Sequence, residues 1–134
     1  MSECRYRALV VDDEAALRLL TVRELCRRGF DCDAARDGRQ AMELVDTRPY
    51  DVVVTDLRMP EMNGHGLAVE LLKRENRPAV VILTGVTEPK LAKDLIARGV
   101  DDIVFKPVDQ GILAAKVQAL VVRRAALRAS QYFL

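Results

Sequence analysis

The stretch that decides the fold is "DVVVTDLRMPEMNG", Asp51 to Gly64. Its run of valines, Val52 to Val54, is too short for a helix and reads as a strand covered on both faces, as strands of a parallel sheet are. The run ends on one bare carboxylate, Asp56, and a loop carrying Pro60 and Gly64 follows. In open α/β sheets, ligands and chemistry gather at the carboxyl ends of the strands, where loops are free to carry polar groups. Asp56 is therefore the first candidate functional residue.

Working outward from this run, strands β1 to β5 are expected at residues 8–11, 30–34, 52–55, 79–83 and 103–105, the second being the weakest. Helix-patterned stretches α1 to α5 lie between and after them, at 14–28, 38–46, 66–75, 89–98 and 109 to about 128. The first places Leu17, Leu20 and Leu25 on or near one face and stops at Gly29, which suits the left-handed turn after a helix end. A βα unit repeated five times with right-handed crossovers predicts one doubly wound α/β domain, flavodoxin-like, with parallel sheet order 2-1-3-4-5. The apolar pattern of the last helix (Leu113, Val117, Leu120, Val121) gives way to "RRAALRAS" and "QYFL". Residues 123–134 are thus expected to outrun the sheet, as a solvated end, a pairing helix or a connector to an output domain.

At 134 residues the chain is long enough for one core without disulfide or metal staples. A formal net charge of +1 argues against direct nucleic acid binding by bulk electrostatics. No apolar run approaches the roughly 20 residues of a membrane span, and "MSECRYRALVVDDE" lacks the zones of a signal peptide, so a cytoplasmic protein with no membrane role is expected. Cys4, Cys26 and Cys32 are odd in number and without metal-ligand spacing, and His65 is the one histidine. They read as reduced structural thiols.

Following each strand to its end gives a short set of polar residues. Asp12, Asp13 and Glu14 follow the first, Asp56 the third, Thr84 and Gly85 the fourth, Lys106 and Pro107 the fifth. In the order 2-1-3-4-5 those strands are neighbours, so all these groups face one crevice. Crowded carboxylates repel unless a cation is shared among them, and Mg²⁺, which takes oxygen ligands and keeps several waters, suits the set. Lys106 adds a point charge and Thr84 a hydroxyl donor for phosphoryl oxygens. Together they are the parts for phosphoryl transfer onto Asp56, giving an acyl phosphate. Taken singly, a strand-end Asp is often a helix cap, a Thr a loop hydrogen-bonder and a Lys before Pro a surface charge. Their convergence on adjacent strand ends is what carries the reading.

"LVVDDE" at Leu9 to Glu14, "DVVVTDLRMPEMNG", "VVILTG" at Val80 to Gly85 and "GVDDIVFKP" at Gly99 to Pro107 resemble the receiver domains of two-component response regulators. The resemblance covers residues from about Tyr6 to about Val122, which implies a receiver domain over 1–122. It implies that Asp56 is the phosphoacceptor and that Asp13 and Asp56 ligate Mg²⁺ directly with the backbone carbonyl of Arg58, while Asp12 acts through water. Lys106 and Thr84 would contact the phosphoryl oxygens, and Gly85 would leave their approach open. The implied donor is a phosphohistidine on a sensor histidine kinase or histidine phosphotransfer protein. The implied output is a switch of the α4-β5-α5 surface.

The sequence departs from that pattern at Ile103, where many receivers carry Tyr or Phe. A branched aliphatic residue has no ring to swing, so any movement coupled to Thr84 is expected to exchange less surface. Arg58 and Val86 stand at positions resembling the family's sites for tuning phosphoryl lifetime, and predict a long-lived phosphoryl state. "GVDDIVFKP" also resembles receivers that form homodimers through α4-β5-α5, with Asp101 and Asp102 meeting Lys90, Lys93, Lys116 or Arg123 across a two-fold axis. Other readings stand further off. A haloacid-dehalogenase-like phosphatase needs a second acid where Arg58 stands; "GHGLAV" at Gly64 to Val69 lacks the third glycine of a dinucleotide fingerprint. A non-phosphorylated pseudo-receiver, acting as a protein-binding module, is the nearest alternative.

Overall fold

The computed structural model describes residues 6–58, 63–85 and 89–131. Strands β1 (Tyr6–Val11), β2 (Phe30–Ala35), β3 (Val52–Asp56), β4 (Ala79–Thr84) and β5 (Asp102–Phe105) alternate with helices α1 (Ala15–Arg27), α2 (Gly38–Thr47), α3 (Gly64–Leu72), α4 (Pro89–Ala97) and α5 (Gln110–Gln131). The sheet is parallel in the order β2-β1-β3-β4-β5, as the βα rhythm predicts.

Side-chain alternation divides the core in two. Ala8, Val10, Val52, Val54, Val81 and Leu83 face Leu25 of α1 and Leu113, Val117 and Val121 of α5. Their neighbours Leu9, Val11, Val53, Val80 and Ile82 face Ala41 of α2, Leu67 and Leu71 of α3 and Leu95 of α4. β3 and β4 are buried along their full length. That explains their unbroken apolar runs, since both pleat faces must be apolar when helices cover both sides. Among the described residues no helix is long and apolar enough to cross a membrane.

Several boundaries differ from expectation for identifiable reasons. α3 begins at Gly64, not 66, because the Asn63 side chain accepts a hydrogen bond from the Gly66 N–H at 2.8 Å and caps the helix there. On α1, Leu25 is buried but Leu20 is 45% exposed. Thr21 takes the inward place expected of Leu20, its hydroxyl donating to the Leu17 carbonyl and pairing with Gln110 of α5, each at 3.0 Å. Residues 21 and 25 share a face at i, i+4, and Leu20 is turned away from it. α5 buries Leu113, Val117, Leu120 and Val121 as expected and then runs on to Gln131. That extension is not detached: Arg124 and Arg128 donate to the Arg77 carbonyl at 3.1 and 3.3 Å, at the end of the sheet opposite Asp56.

A second polar tie fastens β2 to the loop before β3. The Tyr50 hydroxyl donates to Asp33 Oδ2 at 2.6 Å and Arg48 Nη1 to the same oxygen at 3.1 Å. The Tyr50 hydroxyl, helped by Arg48, holds the Asp33 carboxyl below the usual carboxylate range, against the opposing effect of burial. A depressed folded-state pKa contributes stability that is present above the unfolded value and lost as pH falls through the folded one. Tyr50→Phe should therefore cost about 1 kcal/mol at pH 7. In urea titrations the gap to wild type should shrink once Asp33 protonates; a gap of equal size at both pH values would remove the Asp33 bond as its source.

Candidate functional site

The site sits where β1, β3, β4 and β5 end. β3 runs through Asp56 itself, so the carboxylate is carried by the last strand residue, and the following Leu57 N–H is tied to the Leu83 carbonyl of β4 at 2.9 Å. Asp12 is fixed three ways. Its N–H donates to the Ala35 carbonyl at 3.1 Å, its Oδ1 accepts from the Glu14 N–H at 2.9 Å, and its carbonyl accepts from Arg18 Nη1 at 2.6 Å.

Asp12 and Asp56 are buried and Asp13 is exposed, with one oxygen of each lying within 4.8 Å of the others. Burial raises the Asp12 pKa; the Glu14 N–H and Lys106 oppose the rise, and the charges of Asp56 and Asp13 add to it. Lys106 Nζ pairs with Asp56 Oδ2 at 2.7 Å. Burial alone would lower the Lys106 pKa, but the hydrogen bond to Asp56 and the charges of Asp56, Asp12 and Glu14 outweigh it and the net shift is upward. The other Asp56 oxygen, Oδ1, accepts from the Arg58 N–H at 3.2 Å.

Thr84 is buried, its hydroxyl donating to the Gly85 carbonyl at 3.1 Å, and its own carbonyl accepts from the Lys106 N–H at 2.8 Å. Lys106 precedes a cis Pro107. Ile103 packs half-buried against the core cluster of α3 and α4. Val86 lies outside the described residues. A cavity of about 230 Å³ adjoins the cluster between α1 and the start of α5, with Asp12, Leu17, Thr21, Lys106 and Val108 in its lining.

The donor set fits a hard divalent cation. Three carboxylates offering one oxygen each at this spacing suit oxygen coordination, and a cation would offset the cost visible in the raised Asp12 pKa. Mg²⁺ would be held by these side chains, and what it supplies is charge neutralisation at oxygens.

Two residues near the site escaped the sequence reading. Arg18 has no sequence signal beyond its place a turn after Glu14. Gly64 was visible only as the end of the Pro and Gly loop and as the first residue of the incomplete fingerprint "GHGLAV". In the fold it lies against the Asp56 peptide: a Cβ added there would sit 1.9 Å from the Asp56 carbonyl oxygen and 2.9 Å from Leu57 Cα. Asp101, expected to meet a second copy, is committed within the chain. Its Oδ2 accepts from Arg77 Nη1 and from the Val80 N–H, both at 2.8 Å.

The model of the response regulator receiver domain family matches residues 8–118. This chain belongs to that family. The regulatory protein AtoC of Escherichia coli is 37% identical to it over 112 residues, which are 84% of this chain and 24% of AtoC. A probable transcriptional regulator, ycf27, of Porphyridium aerugineum is 31% identical over 119 residues, 89% of this chain and 49% of that protein. The chain thus spans about half the length, or less, of these curated relatives. Among solved structures, the receiver domain of the Francisella response regulator 1452 superposes with a TM-score of 0.81 at 29% identity, covering 90% of this chain and 99% of that one. The signal receiver domain of a putative Luxo repressor protein from Vibrio parahaemolyticus gives 0.83 at 26% identity, covering 93% and 95%.

In this receiver domain Gly64→Ala should displace the Asp56 peptide, because the clash is with backbone that cannot rotate away. The expected result is a loss of about 1–3 kcal/mol in stability, with weaker Mg²⁺ binding by titration calorimetry. Unchanged metal affinity would show that the loop adjusts without moving Asp56.

Proposed function

We propose that this receiver domain accepts a phosphoryl group on Asp56 from the phosphohistidine of a sensor histidine kinase or histidine phosphotransfer protein, with Mg²⁺ held by Asp12, Asp13, Asp56 and the Arg58 carbonyl. The observation that carries this is the buried Asp56 carboxylate paired with Lys106 at 2.7 Å beside two further carboxylates. A carboxylate oxygen of Asp56 attacks phosphorus, a P–O bond forms, and the P–N bond breaks with its electron pair left on the imidazole nitrogen. Lys106 moves from a carboxylate oxygen to a phosphoryl oxygen, keeping a charge-assisted bond throughout. The strand ends supply alignment, which is most of what a loose phosphoryl transition state needs.

Thr84 would turn its hydroxyl from the Gly85 carbonyl to a phosphoryl oxygen, Gly85 leaving the approach open, and Ile103 would follow by repacking against α4. The result is a change of the α4-β5-α5 surface smaller than a swinging ring would give. Arg58 and Val86 would set the phosphoryl lifetime, which we expect to be long. Residues 123–131 continue α5, anchored by Arg124 and Arg128, and residues 123–134 would serve as a connector. A cytoplasmic setting follows from the phosphohistidine donor. The small net charge does not extend to regulators of this kind as a class: one relative, 34% identical over 123 residues and 54% covered, is the DNA-binding response regulator MtrA of Mycobacterium bovis.

Incubation with Mg²⁺ and acetyl phosphate should add one phosphoryl group to the wild type by intact mass and none to Asp56→Asn. Mg²⁺ alone should raise the Tm of the wild type, since a ligand of the folded state stabilises by mass action. Metal binding without any mass gain, also after incubation with a phosphohistidine donor, would favour the pseudo-receiver. Arg58→Ala should shorten the phosphoryl lifetime; an unchanged rate of loss would remove Arg58 from that role.

A further inference from the structure

Outside the site, the two described cysteines stand on neighbouring elements, Cys26 in the last turn of α1 and Cys32 in β2. β2 is an edge of the sheet, and Cys32 is in register with Ala8 of β1, whose side chain belongs to the core beneath α1 and α5. Registered neighbours share a pleat face, so the Cys32 side chain turns toward α1. It packs there beside Val22, with its Sγ 3.9 Å from the Val22 carbonyl oxygen. Along α1 that carbonyl accepts the N–H of Cys26, four residues on. A helical Cα–Cβ bond leans toward the N-terminus, so the Cys26 thiol hangs back over the turn that Cys32 touches.

The Cys32 thiol registers that neighbour: burial first, and then its hydrogen bond with the Cys26 thiol, push its pKa up. Access separates the pair. Cys32 is half-buried and suits the structural role expected of it, whereas Cys26 is exposed. An oxidant in solution meets Cys26 first and finds Cys32 behind it, protonated and in contact. The chain between them needs little ordering to close a ring. Gly29 already reverses it at φ 89°, and the Gly29 N–H donates to the Cys26 carbonyl at 3.0 Å.

We infer that Cys26 and Cys32 form a reversible disulfide that fastens the last turn of α1 to β2 when the protein meets a thiol oxidant. With a small-molecule disulfide as that oxidant, the Cys26 thiolate attacks one of its sulfurs; a mixed S–S bond forms and the original one breaks, releasing a first thiolate. Cys32 then attacks the Cys26 sulfur, and its proton passes to the second departing thiolate. The protein loses two electrons and two protons, and the oxidant leaves as two thiols. A protonated, sheltered thiol is a slow nucleophile, and contact within one chain is what offsets this. The bond joins two elements that hold Asp12: Arg18 of α1 donates to its carbonyl, and the Ala35 carbonyl of β2 accepts its N–H. It uses none of the residues proposed to handle the phosphoryl group.

The test treats the full chain, reduced and then freed of reductant, with oxidised glutathione, quenches it with iodoacetamide and reads intact mass and a tryptic map. Trypsin separates the three cysteines, because Arg5, Arg23, Arg27, Arg28 and Arg36 flank them: Cys4 falls in residues 1–5, Cys26 in 24–27 and Cys32 in 29–36. Oxidised protein should be a monomer lighter by two hydrogens before alkylation, should take up the alkyl group at Cys4 alone, and should yield 24–27 linked to 29–36. Dithiothreitol should restore all three alkylation sites. Cys26→Ser, at an exposed position that leaves the core intact, should lose the linked peptides and keep Cys32 open to alkylation after unfolding. A glutathione adduct that persists on Cys26 while Cys32 remains a thiol would overturn the proposal. So would linkage of either thiol to Cys4 or between two copies of the chain, or recovery of all three cysteines alkylated after oxidation.

Discussion

Two carboxylates, Asp12 and Asp56, are buried side by side at the ends of adjacent parallel strands, and most of the site is an answer to their repulsion. Fixed where they are by backbone pairing, they cannot separate: β1 and β3 are in register from Ala8↔Val52 to Val11↔Thr55. Relief has to come as positive charge. Lys106 supplies part of it directly to Asp56, and it keeps its proton although it is itself partly buried. The rest falls on donors that cannot leave, the Glu14 and Arg58 N–H groups. Burial first, and the Asp56 and Asp13 charges after it, still leave the Asp12 pKa raised, a cost that a divalent cation would offset. On the proposed reading, this imbalance is what would draw a cation and, beside it, the oxygens of a phosphoryl group.

The parallel sheet is what makes that crowding possible. Because every strand runs the same way, all their carboxyl ends open on one side, and each strand needs to deliver only one or two polar residues. The stretch behind them must then be apolar on both faces, as β3 and β4 are. Rigidity follows from the same arrangement. Gly64 brings the start of α3 onto the Asp56 peptide, and Asn63 caps that helix two residues earlier than its apolar pattern predicts. The Gly64 N–H also donates to the Leu57 carbonyl at 3.1 Å, so the start of α3 is fixed to the end of β3.

Much of this was legible in the sequence because it depends on period and order. β-branched runs separated by helical stretches carry the topology, and the topology alone brings Asp12, Asp13, Asp56, Thr84 and Lys106 to one end of the sheet. What could not be read depends on packing between elements distant in sequence. Leu20 fits a helical apolar pattern, yet Thr21 takes the inward place because Gln110, far along the chain, offers it a partner. Asp101 looks like a surface charge beside Asp102, and only the fold brings Arg77 and the Val80 N–H to it. Gly64 reads as a turn residue until its neighbour is seen to be the Asp56 carbonyl.

The commitment of Asp101 also links the two ends of the domain. Arg77 joins Asp101, at the base of β5, and through its own carbonyl receives Arg124 and Arg128 from the last turns of α5. α5 is thus fastened at both ends, by Gln110 to Thr21 of α1 and Gln118 to Arg28 just after it, and by these arginines to Arg77 in the loop before β4. A shift of β5 or α4 that moved Asp101 would be felt by Arg77 and through it by the extension beyond residue 122. Between these anchors the edge strand lies uncovered, with Phe105 exposed beside Thr84 in register. An exposed aromatic side chain thus stands beside Thr84 in register even though Ile103 is aliphatic, so a rearrangement at Thr84 would have an apolar surface next to it on which to register.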